Sequence, residues 1–135
     1  MSKRIGLLAI FLLAGLLAAG CGGGGGPVEM TVSMEEFAFN PDSLTVPAGS
    51  EVNMTINNQG ALEHNFIVMN AGSEVTGSWS DADQANAYFG QNQTPAGETV
   101  SVRFVAPSQP GTYQFLCSVP AHLEQGMEGV LTVTE

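Results

Sequence analysis

The chain has 135 residues, of which 13 are Asp or Glu and 3 are Lys or Arg, a formal net charge of −10. Phosphate recognition needs clustered Lys and Arg, so this balance speaks against nucleic acid as a partner. Beyond the first 27 residues about 108 remain, enough for one compact domain and too few for two.

Residues 1–21 read as a targeting segment. Lys3 and Arg4 precede an apolar run from Ile5 to Leu17, and Leu17-Ala18-Ala19-Gly20 places small residues just before Cys21. The run falls short of the ~20 residues that usually span a bilayer. Cysteine directly after small residues resembles a bacterial lipoprotein signal, in which the cysteine is lipidated and becomes the first residue of the mature chain. A retained signal helix is the alternative anchor. Gly22 to Gly26 and Pro27 make residues 22–27 a linker, and five residues of Gly-rich coil reach only about 12 Å. A domain over 28–135 is therefore expected close to the outer, periplasmic face of the cytoplasmic membrane. Its one cation is Arg103 against all thirteen acidic residues, a net of −12, which favours solubility and steers encounter with a basic partner.

Val28, Met30, Val32 and Met34 alternate with Glu29, Thr31, Ser33 and Glu35, the period of a half-buried strand. Phe37 and Phe39 follow, then a turn at Asn40-Pro41-Asp42. Leu44-Thr45-Val46 predicts a short strand closed by Pro47-Ala48-Gly49-Ser50. Val52, Met54 and Ile56 alternate with polar neighbours in the next strand, which Asn58-Gln59-Gly60 ends. In His64-Asn65-Phe66-Ile67-Val68-Met69 both faces are largely apolar, which predicts a central strand with His64 pointing inward in phase with Phe66 and Val68.

Residues 71–97 break the strand rhythm. Ser80-Asp81-Ala82-Asp83 has the form of a capping box, and Ala82, Ala85 and Phe89 recur at helical spacing before Gly90, predicting one short helix near 80–89 in a long connection. Trp79 and Tyr88 are expected to seal this insertion onto the body of the domain. Val100, Val102 and Phe104 form another alternating run up to Pro107. After the turn at Pro110-Gly111, Tyr113, Phe115 and Cys117 share one strand face. Leu131 and Val133 lie in a last strand. Seven or eight short strands with one brief helix predict an all-β fold, a two-sheet sandwich or barrel with Greek-key connections.

Cys117, His122 and Met127 stand at C-x4-H-x4-M, and the remaining histidine is His64. Singly each has an ordinary explanation: His64 as a satisfied core histidine, Met127 as adaptable filler, Cys117 as an inert buried thiol, His122 as a loop residue. Together they are a thiolate, two imidazoles and a weak thioether, the ligand types of a blue-copper electron-transfer site. A lone thiol in an oxidising compartment is also a liability unless it is buried or bound, and a lipidated Cys21 leaves Cys117 no disulfide partner.

The domain resembles the type-1 (blue) copper cupredoxins of the azurin and plastocyanin kind. The resemblance rests on Pro41-Asp42-Ser43-Leu44-Thr45-Val46-Pro47-Ala48-Gly49, on His64-Asn65-Phe66, on the run from Tyr113 to His122, and on Gly126-Met127-Glu128-Gly129. The C-x4-H-x4-M loop is similar to the auracyanin pattern; plastocyanin-like loops are shorter between Cys and His, and azurin-like loops between His and Met. Azurin's disulfide has no counterpart here.

The resemblance implies one type-1 copper ion held by His64, Cys117 and His122 in a trigonal set, with Met127 as the long axial ligand. Asn65 and Ser118 would stand just outside the ligands, Asn65 bracing the loop. Glu63 occupies the place where some members bring a backbone carbonyl near copper. His122 would be the electron port, framed by an apolar contact patch of Leu62, Pro120 and Leu123. The implied protein is a monomeric, membrane-tethered carrier of single electrons, not an enzyme. Its redox partners would be a quinol-oxidising complex as donor and a cytochrome of a reaction centre, or a terminal oxidase, as acceptor. Copper delivery or storage in the cell envelope is the competing reading, and a metal-free binding module stands behind it. An oxidase or reductase would need an open coordination position or a second copper centre, and no histidine is left for one.

Overall fold

The computed structural model describes residues 25–135. The lipoprotein-type signal, Cys21 and most of the glycine linker lie outside the described residues. Nine strands form two sheets. One sheet orders β2 (Ala38–Asn40), β1 (Val28–Glu35), β4 (Glu51–Asn58) and β7 (Thr99–Val105) side by side. The other orders β3 (Ser43–Pro47), β9 (Glu128–Thr134), β8 (Gly111–Leu116), β5 (His64–Met69) and β6 (Ala87–Thr94). Both sheets are mixed: β1 runs parallel to β4 and β3 parallel to β9, while the remaining pairs are antiparallel. The fold is the all-β two-sheet class that the alternating runs predict.

The alternation also decides what lies between the sheets. Val32 and Met34 of β1, Val52, Met54 and Ile56 of β4, Phe66 and Val68 of β5, and Tyr113 and Phe115 of β8 are all buried in one cluster. Burying side chains of this size contributes about 1.5–3 kcal/mol each. Phe39, Phe66 and Phe115 meet with ring centroids 5.0–5.7 Å apart. All six residues of β5 are buried, as a strand covered on both faces requires. Its outer face belongs to a second cluster of Ile67, Met69, Val75, Leu116 and Leu123, against which Trp79 packs.

The expected helix over 80–89 is shorter than its spacing suggests. It occupies only Asp81–Gln84, with Ser80 as N-cap and Asp83 closing the capping box. Ala87–Thr94 is instead the strand β6, paired antiparallel with β5. The backbone N–H and C=O groups of buried β5 need partners on both edges; β8 supplies one edge and this polar segment the other. That demand outweighs the helical spacing of Ala85 and Phe89. Tyr88, expected to seal the insertion, stays 40% exposed but donates its hydroxyl to the Val105 carbonyl at 2.9 Å, tying β6 to β7 of the facing sheet.

Gly129 sits opposite Phe115 in the β8–β9 ladder. A methyl group there would run into the Phe115 ring and the Asp42 carbonyl. Gly129→Ala is therefore expected to destabilise the domain by roughly 1–3 kcal/mol through overpacking. In urea the midpoint should fall at constant slope. An unmoved midpoint would show that both the Phe115 ring and the Asp42 backbone yield freely.

Candidate metal centre

Three donor-bearing side chains reach one point from two strands and a loop. His64 opens β5, Cys117 follows the last residue of β8, and His122 precedes a 3₁₀ turn at Leu123–Gln125. The loop is closed on itself: Cys117 N–H donates to the Met127 carbonyl at 3.0 Å, and Met127 N–H donates to the His122 carbonyl at 3.1 Å. His122 N–H donates to Val119 O at 3.0 Å. Ala121, immediately before His122, has φ of 70°, a left-handed conformation uncommon for a residue with a Cβ. Gly126, with φ of 92°, turns the chain out of the 3₁₀ turn and into Met127.

The side chain of Asn65 staples β5 to this loop. Its Nδ2 donates to Ser118 Oγ at 2.8 Å and its Oδ1 accepts from Ser118 N–H at 2.7 Å. The Asn65 backbone N–H points at Cys117 Sγ, 3.5 Å away. Asn58, which the sequence marks only as the end of a strand, is buried at the end of β4. Its Nδ2 donates to the carbonyls of Leu62 and Thr94, both at 2.8 Å, and its Oδ1 accepts from Gly60 N–H at 3.0 Å. It fixes the segment that leads into His64. Phe37 was also missed; its ring meets His122 edge-on at 5.3 Å. A hydrophobic residue near a turn carries no sequence signal for that contact.

The two Nδ1 atoms of His64 and His122 lie 3.1 Å apart, and Cys117 Sγ lies 3.5 Å from Nδ1 of His122 and 4.0 Å from Nδ1 of His64. A triangle with those edges has its centre about 2.1 Å from each corner, within the roughly 2.0–2.3 Å at which a first-row ion such as zinc binds imidazole and thiolate. Among the described residues this is the one group of three such side chains able to share an ion. Met127 is fully buried in the same core cluster as Cys117. The soft donor set and the size of the gap both fit copper.

Burial also prepares the protonation states. It lowers the His64 imidazole from its ordinary 6.5, with His122 adding to the effect and Glu36 opposing it. Burial likewise lowers His122. Both rings are thereby held neutral near pH 7, the form that binds metal. The Cys117 thiol is pushed up by burial, so without metal it keeps its proton.

The proposed electron port is almost enclosed: His122 is 4% exposed. Leu62 and Pro120 are exposed near it. Leu123 is not part of that surface. It is 6% exposed and packs into the second core cluster with Ile67 and Met69. The 3₁₀ turn rotates it inward, where apolar area is already gathered. Glu63 is exposed.

Two facing sheets with a His, Cys, His and Met site at one end define a type-1 copper protein. The sequence model for copper-binding proteins of the plastocyanin/azurin family matches residues 27–134, and the chain belongs to that family. It is 36% identical to Auracyanin-B of Chloroflexus aurantiacus over 79% of this chain and 52% of that protein, so it spans about half of that relative's length. Auracyanin-A of the same organism is 31% identical, over 98% of both chains. The crystal structure of dithionite-reduced auracyanin from Roseiflexus castenholzii superposes with a TM-score of 0.68 at 29% identity, covering 82% of this chain and all of that one. Among relatives of this kind the chain reads as a blue copper protein of electron transfer.

Proposed function

We propose that the protein carries single electrons between membrane redox complexes while tethered at its N-terminus to the outer face of the membrane. Copper bound by His64, Cys117, His122 and Met127 supplies a one-electron Cu(I)/Cu(II) couple. The observation that carries the reading is the closed donor triangle, with His64 and Cys117 fully buried and His122 only 4% exposed. The Asn65–Ser118 staple and the loop's own hydrogen bonds fix the donors in place, so little rearranges when the charge of the site changes. A site built for copper delivery would present its ligands to solvent for exchange, and this one encloses them.

The donor would be a quinol-oxidising complex and the acceptor a cytochrome of a reaction centre or a terminal oxidase, in a photosynthetic or respiratory chain. A lipid on Cys21 would hold the domain near both. The acidic surface favours partners with basic docking faces. Leu62, 46% exposed, and the exposed Pro120 are the apolar contacts that remain after Leu123 is set aside.

The test is voltammetry of the copper-loaded protein together with stopped-flow reduction by membranes that carry the quinol-oxidising complex. Reversible one-electron behaviour and fast reduction are expected. Leu62→Lys should slow that reduction about tenfold, a typical span for variants of one docking face, with the visible spectrum unchanged. Rapid exchange of copper with a chelator and sluggish electron transfer would instead favour delivery.

A further inference from the structure

His64 has a second nitrogen. With Nδ1 committed to the donor triangle, the ring hydrogen resides on Nε2, and a metal-ligating imidazole almost always gives that hydrogen to a carboxylate, a carbonyl or water. Nε2 of His64 is buried and has no hydrogen-bond partner. The carboxylate oxygen Oε1 of Glu36 stands 3.9 Å from it. That oxygen is itself positioned, accepting the N–H groups of Ala61 at 2.5 Å and Leu62 at 3.0 Å. These two bonds hold the carboxyl below its usual range and keep it charged.

Gly60 supplies the space for this approach. A Cβ at position 60 would fall 2.5 Å from Glu36 Oε1 and 3.1 Å from His64 Nε2. The glycine has no positive φ to explain it, so its missing side chain is what the site uses. Asn58 Oδ1 accepts the Gly60 N–H and fixes this backbone over the gap.

We propose that Glu36 is a positioning residue for the copper centre: its carboxylate is the outer partner of the His64 ring, fixes that ring's orientation, and places a negative charge that favours Cu(II) over Cu(I). The inference rests on the copper reading above and extends it to a residue on a different chain segment from any ligand. Closing the 3.9 Å separation to hydrogen-bond range takes a movement of about 1 Å, made by the 39% exposed Glu36 side chain together with the Ala61 and Leu62 amides that hold its oxygen.

The experiment measures the reduction potential of copper-loaded wild type, Glu36→Gln, Gly60→Ala, the double variant of these two, and Glu51→Gln. It also records the His64 Nε2–H resonance in the diamagnetic Cu(I) protein. Glu36→Gln keeps the shape and an acceptor oxygen for both amides but removes the charge. It should shift the equilibrium three- to tenfold toward Cu(I), at most about 59 mV upward, and move the Nε2–H signal upfield. Gly60→Ala, by displacing the carboxylate, should shift both readouts in the same direction, and the double variant should add little. Glu51→Gln, the same charge change at the far end of β4, should move neither.

A Glu36→Gln potential no different from that of Glu51→Gln, with an unmoved Nε2–H signal, would overturn the proposal. Full additivity of Glu36→Gln and Gly60→Ala would overturn it as well. A wild type that binds no copper, or shows no thiolate-to-copper band, would instead count against the copper reading itself.

Discussion

Cys117→Ser is expected to abolish the intense visible absorption of the copper-loaded protein and to broaden its parallel EPR hyperfine splitting. The intense band of a blue site arises from charge transfer out of a thiolate, and Cys117 Sγ is the one sulfur in the donor triangle. A serine hydroxyl does not ionise at neutral pH and is a hard donor, so it neither gives the band nor supports Cu(I). The fold should survive. The serine oxygen would inherit the Asn65 N–H that now points at sulfur, and burying a small hydroxyl costs about 1–3 kcal/mol in proteins. Absorbance, EPR and circular dichroism on the same samples separate loss of colour from loss of structure. A blue protein with Ser at 117 would place the chromophore elsewhere and remove the ligand assignment.

Much of the fold was legible because its strands follow a period of two and the core takes one face of each. Val32, Met54, Phe66 and Phe115 are read as inward from alternation alone, and they are inward. The ligand loop was legible for a different reason: Cys117, His122 and Met127 are close in sequence, and their spacing is itself the signal. β6 was not legible. Its residues, Ala-Tyr-Phe-Gly-Gln-Asn-Gln-Thr, show no apolar alternation past Phe89, and Ala, Gly and Asn among them are weak strand formers; what makes them a strand is the unpaired edge of β5, a tertiary demand. Leu123 was misplaced for a related reason. A leucine next to a surface ligand looks like a contact residue until the 3₁₀ turn is known to aim it at Ile67 and Met69. Glu36 comes within 3.9 Å of His64 from a segment well removed in sequence, while Asn58 fixes the short segment leading into His64 by bonding the Leu62 carbonyl; no local pattern distinguishes either from other acidic or strand-end residues.

Removing copper is expected to lower the stability of the domain substantially without unfolding it. An ion that binds only the folded chain stabilises it by about 4.1 kcal/mol when free copper exceeds the dissociation constant a thousandfold. The metal-free domain should keep both sheets, because the contacts of Val32, Ile56, Phe66, Phe115 and Leu131 do not pass through the site. At the site itself the two imidazole nitrogens lie 3.1 Å apart, so a neutral ring that carries its hydrogen on Nδ1 can donate it to the other.

As pH falls through about 6.5, the ordinary value for both histidines, an unfolded chain takes up two protons that the folded metal-free chain resists, since burial depresses both rings. Stability of the metal-free form should therefore fall from about pH 6.5 downward, until the depressed folded values are passed. Copper uptake runs against a different proton. Burial raises the Cys117 thiol, so near pH 7 it must be displaced on binding. Affinity should then rise about tenfold per pH unit between neutrality and the thiol's own titration, with one proton released per copper bound. Urea titrations of both forms at several pH values, with proton release followed in weak buffer, measure all three quantities. A pH-independent affinity would mean that the thiolate is already formed in the metal-free site, and that the surroundings of Cys117 stabilise charge where burial should oppose it.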